Sequence, residues 1–211
     1  MSTTLDTLFD LDALILEADR ENAPAWTGAP LRYHEEPRTP EELDDAFDRW
    51  IFEHGRAGCY PDSHMWHRYP WGPQAMPRVR GHQLTIYSAD VSCTDRDHDH
   101  QDDSLPDGED RFQAICAPCG WRLISEDLDT VIETMHDHAF PGWRDLPVVP
   151  RKHRGIPPRG RDPLREWVEA NYPAHWQQPG HPIITERGGV ATRHVPDASP
   201  WGGYDLSDHC L

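Results

Sequence analysis

Cys116 and Cys119 stand two residues apart in the run CAPCG. A thiolate pair at this spacing can grip one zinc ion from a tight turn, with Zn–S bonds of about 2.3 Å. The chain holds five cysteines, an odd number, which makes no disulfide framework and points to reduced thiols available for metal. Downstream, the run HDH at 136–138 offers two histidines. The sixteen residues between Cys119 and His136 exceed the roughly twelve of a C2H2 finger, so the pattern predicts a relative of that architecture. At 100° per residue the two histidines lie about 200° apart on a helix and cannot both meet one ion. His138 is the expected ligand, because it sits at the fraying end just before AFPGW, and His136 is the alternate. Cys93, at the end of the preceding strand, is expected to fill the fourth position, with His98 and His100 as alternates in the acidic loop. Cys93, Cys116, Cys119 and His138 would form a closed Cys3His set. A closed set holds a fold together and does not catalyse.

A second constellation, Cys59, His64 and His67, has the spacing C-x4-H-x2-H. Three ligands plus a water would make a catalytic zinc site. Trp66, Tyr69 and Trp71 interleave these residues, however, and aromatic loops usually pack. No H-E-x-x-H, P-loop or Gly-rich dinucleotide motif is present to support an enzyme, which leaves the enzyme question open and favours a binding role. In the acidic loop TDRDHDHQDDSLPDGED the glycine and the final glutamate of an EF-hand do not fall at their positions, which leaves it a solvated charge run.

The elements that must position the first site are short. HQLTIYSADVSC at 82–93 and RFQAIC at 111–116 read as strands, CAPCG as a turn and WRLIS as the returning strand. Ser125 is placed to cap a helix reaching about His138, with Leu128, Val131, Ile132 and Met135 on one face. Upstream, Thr39, Pro40, Glu41 and Glu42 announce a helix start, and Leu43, Ala46, Phe47, Trp50 and Ile51 recur at helical spacing before Gly55. Residues 4–18 form an amphipathic pattern, and Asp162 and Pro163 open a short helix closed by Asn171 and Pro173. Everything after that reads as turn-rich. The expected fold class is α+β: a small ββα zinc-finger-like module flanked by helices and long irregular Pro/Trp-rich segments. Four parts are expected: an N-terminal helix at 1–20, a helix plus aromatic loop at 39–80, the zinc module at 82–149, and a basic linker, short helix and tail at 150–211.

Composition narrows the function. Leu, Ile, Val and Phe make up only 18% of the 211 residues, a level at which nine Trp residues must supply much of the core. The net charge of −17 opposes general binding to phosphate backbones. Residues 1–50 carry −9 and residues 94–140 carry −10, whereas the arm 151–165 carries +5 and could touch phosphate locally. No apolar run approaches the ~20 residues of a membrane span, and the start lacks a secretory pattern, so a cytoplasmic protein is expected.

At CAPCGWRLIS, HDHAFPGWRDLPVV and SPWGGYDL the chain resembles an uncharacterised family of small zinc-binding proteins from actinobacteria and their phages. The resemblance implies a small zinc module and favours His138 over His136. It also fits the use of nineteen arginines beside a single lysine, Lys152. It implies no activity. The expected function is therefore a non-catalytic, zinc-stabilised binding protein whose partner is a protein rather than a nucleic acid. An acidic inhibitor or DNA mimic is the second reading, and a metalloenzyme using Cys59, His64 and His67 the third.

Overall fold

In the computed structural model, Thr39 starts the best-defined helix as the composition of its first turn requires. Its hydroxyl accepts from the Glu42 amide at 3.2 Å while the Glu42 carboxylate accepts from the Thr39 amide at 2.8 Å, a reciprocal capping box. The structure describes residues 11–55, 64–70, 79–91, 110–154, 162–187 and 192–210, apart from the side chains of Asp12 and Cys210. In chain order the regular elements are α1 (Leu11–Glu21), α2 (Pro40–His54), β1 (His67–Arg68), β2 (Leu84–Asp90), β3 (Asp110–Cys116), β4 (Trp121–Ser125), α3 (Leu128–Ala139), α4 (Pro163–Asn171), β5 (Ile183–Thr185), β6 (His194–Val195) and β7 (Asp205–Ser207). The fold class is α+β.

Strands β1 to β4 form an antiparallel sheet in sequence order. Alternation along each strand sends side chains to two faces. Leu84, Ile86, Ala114 and Cys116 enter the main core with Val131, Ile132, Met135 and Ala139 of α3, and Trp121 packs at its edge. Tyr87, Ala89, Val91 and Ile115 face the other way, onto Leu43 of α2, Tyr33 and Trp66. The Tyr87 hydroxyl donates to Asp44 at 2.9 Å, and the Trp66 indole donates to the His34 carbonyl at 2.7 Å. The sheet is thus covered on both sides. No helix among the described residues is long and apolar enough to cross a membrane.

Two local features differ from the sequence reading. Asp127, not Ser125, caps α3, accepting from the amides of Asp129 and Thr130 at 3.1 Å each; the Ser125 hydroxyl instead accepts from the Asp127 amide. The region after Pro173 contains a second sheet of order β5-β7-β6. Its strands span two or three residues each, too few for a period to show. Ile183, Ile184, Tyr204 and Leu206 from this region are fully buried in the main core. It is fastened to α3 by Arg193, paired with Asp129 at 3.1 Å and with Glu133, and by His194, 2.5 Å from Asp129. Inside it, Asp205 pairs with Arg187 at 2.7 Å and accepts from the Thr185 hydroxyl.

Candidate metal centre

Three pieces of local structure bring the site together. The first is a tight turn closed by the Val79 and His82 backbones, which exchange hydrogen bonds of 2.9 and 2.7 Å. Its central residues, Arg80 and Gly81, have φ of 51° and 88°, the left-handed pair that a type I′ turn demands. It delivers His82 two residues ahead of β2. The second is the link between β3 and β4, where Ala117–Cys119 make one 3-10 turn and Gly120 takes the left-handed conformation at φ 61°. Cys116 therefore sits inside, completely buried, and Cys119 outside on the turn. The third is the last turn of α3, which carries His138. The Trp121 ring lies flat against that imidazole, with centroids 4.5 Å apart and planes within 7°.

These pieces gather His82, Cys116, Cys119 and His138, whose ligand atoms all lie within 4.8 Å of one another. The Nδ1 of His82 is the hub, at 3.2 Å from His138 Nε2, 3.3 Å from Cys119 Sγ and 3.6 Å from Cys116 Sγ. One imidazole nitrogen has a single proton or a single lone pair, so it cannot satisfy three such neighbours by hydrogen bonding. A shared cation would satisfy all four groups. Burial and then the neighbouring His82 lower the pKa of His138, while Cys116 beside it raises that of Cys119. The Cys119 shift, and the smaller part of the His138 shift, come from donors placed side by side. The group can hold one metal ion.

Of the residues expected from sequence, the structure brings together Cys116, Cys119 and His138. The alternate His136 is elsewhere: it is completely buried, its Nδ1 lies 2.7 Å from the Ile132 carbonyl, and Phe140, Trp143 and Tyr204 surround its ring. Cys93, His98 and His100 lie outside the described residues, as does Cys59. His64 Nδ1 is 2.9 Å from the Asp90 carbonyl, and His67 is buried in β1 against the Phe47 ring. Among the described residues, no second group of three or more His, Cys, Asp or Glu side chains could hold a metal.

Sequence reasoning missed His82, which the pairing of β2 with β3 brings to the site. β2 and β3 are antiparallel, with Leu84 opposite Cys116 and Asp90 opposite Asp110. The start of β2, not its end, therefore neighbours the C-x2-C turn. Asp110 is six residues from Cys116, about 20 Å along a strand.

A family model, that of a family of unknown function (DUF6349), matches residues 28–211. No curated protein and no solved structure matches the chain.

Proposed function

The chain belongs to the family of unknown function DUF6349, and from that premise we propose a non-catalytic binding protein whose fold is closed by one structural zinc ion. The observation that carries this reading is the convergence of three donor atoms on His82 Nδ1. For a tetrahedral zinc with bonds of about 2.0–2.1 Å to nitrogen and 2.3 Å to sulfur, the N···N edge is about 3.4 Å and the N···S edge about 3.6 Å. The corresponding separations here are 3.2 Å, and 3.3 and 3.6 Å. Two thiolates and two imidazoles suit zinc among the common divalent ions, and four protein donors leave no position open for substrate. A site of this kind contributes folding energy. Here it would tie the turn at 79–82, the β3–β4 link and the end of α3 into one unit.

The partner we infer is a protein in a reducing, cytoplasmic setting. The net charge of −17 works against a phosphate backbone. Helix α1 also presents Leu11, Leu14 and Ile15 to solvent, between 49% and 67% exposed, among acidic neighbours, and exposed apolar side chains grouped on one helix favour protein contacts. The decisive test is elemental analysis of the folded protein purified without added metal. One zinc per chain is expected. Less than half an equivalent would overturn the reading, and two equivalents would return the Cys59, His64 and His67 constellation to consideration as a second, open site.

A further inference from the structure

We propose that Cys119 is an oxidation site and Cys116 its resolving thiol, so that a peroxide closes a Cys116–Cys119 disulfide and expels the metal. The expulsion step alone rests on the zinc reading above. The asymmetry between the two sulfurs carries the inference. Cys116 ends β3 and is fully buried, whereas Cys119 is exposed on the turn, and their sulfurs lie within 4.8 Å of each other. An oxidant from solvent reaches one thiolate and not the other, and the second waits beside it. Exposure of one sulfur beside a sheltered second one is the steric arrangement of a thiol with a resolving partner. Space beside Gly120 is open among the described residues, since a Cβ placed there would meet none of their atoms within 4 Å. The 3-10 turn has no side-chain cap to resist the small adjustment a disulfide needs.

The chemistry balances with a peroxide as the named oxidant. The Cys119 thiolate attacks one peroxide oxygen; an S–O bond forms, the O–O bond breaks and hydroxide leaves. The Cys116 thiolate then attacks the Cys119 sulfur; an S–S bond forms, the S–O bond breaks and a second hydroxide leaves. Two protons from solvent convert the hydroxides to water. Both thiolates are oxidised, the peroxide is reduced, and the metal departs as the unchanged divalent ion because half its donors are gone. A bond within one turn ties neither His82 nor His138. Oxidation would therefore release the turn at 79–82 from the end of α3.

The experiment uses the full chain carrying Cys59→Ala, Cys93→Ala and Cys210→Ala, which leaves Cys116 and Cys119 as its remaining thiols. Hydrogen peroxide is titrated in, metal release is followed with a chromogenic chelator, and the tryptic peptide at 112–122, which holds both cysteines, is weighed. The expected result is a peptide lighter by two hydrogens, restored by a thiol reductant, with one metal released per disulfide. Intact thiols, or sulfinic and sulfonic acids with no disulfide, would overturn the oxidation claim. A disulfide formed while metal stays bound would overturn the expulsion. A sample with no metal before peroxide would count against the zinc reading, and the peptide mass would still decide the oxidation claim.

Discussion

His136 makes the stability of this fold depend on pH in a way that one substitution can isolate. Its Nδ1–H donates to the Ile132 carbonyl at 2.7 Å, and its Nε2, buried among aromatic rings, has no hydrogen-bond partner among the described residues. A proton on Nε2 would place an unsolvated charge there. Burial accordingly pushes the pKa down from 6.5 to about 4. In the unfolded chain the imidazole keeps its ordinary value, so between these limits the unfolded state binds a proton that the native state refuses. Stability from this residue is full above the unfolded pKa and is lost as pH falls toward the folded one. The whole shift corresponds to about 3 kcal/mol, of which about 2 kcal/mol, or roughly 20–30-fold in the folding equilibrium, is lost between pH 7 and pH 5. His136→Phe, which keeps a ring in the pocket, and His136→Gln, which keeps a polar group, both remove the titration. Urea melts of wild type and both variants at pH 7 and pH 5 give the comparison, and acid-driven loss of metal cancels because all three share the same ligands. Each variant should lose about 2 kcal/mol less than wild type over that interval. Equal losses in all three proteins would refute the assignment of His136 as a buried neutral base.

His82→Ala should abolish stoichiometric metal retention and lower the melting temperature, whereas Cys93→Ala should leave both unchanged; elemental analysis of the two variants after dialysis reads the difference, and the reverse result would move the fourth ligand to Cys93. Asp205→Asn should destabilise by about 3–5 kcal/mol, because it strands the charge of Arg187, a side chain only 1% exposed. Thermal denaturation tests this, and the double replacement Asp205→Leu with Arg187→Met should recover much of the loss; a single variant that melts like wild type would show that the pair is not buried in solution.

The sequence by itself determined the local elements and the chemistry of the centre. Thr39 with Glu42 specifies the start of α2, the spacing of Leu128, Val131, Ile132 and Met135 specifies α3, and the C-x2-C pair supplies two of the four donors of the centre. The 200° separation of His136 and His138 meant that one of them had to leave the site, and helix geometry is a property of neighbours in sequence. Tertiary structure decided which side chains meet across distance. His82 joins the site because β2 runs antiparallel to β3 and so begins where β3 ends; the register of that pairing is set by burial on both sheet faces, a condition no single strand contains. The second sheet was equally hidden, since strands of two or three residues carry no period. Their burial depends on long-range packing: Tyr204 meets the His136 ring of α3, and Leu206 joins the same core cluster as residues of α3 and β2. Residues adjacent in sequence obey local torsional rules, whereas residues brought together by packing obey the shape and polarity of a core that exists only once the chain has folded.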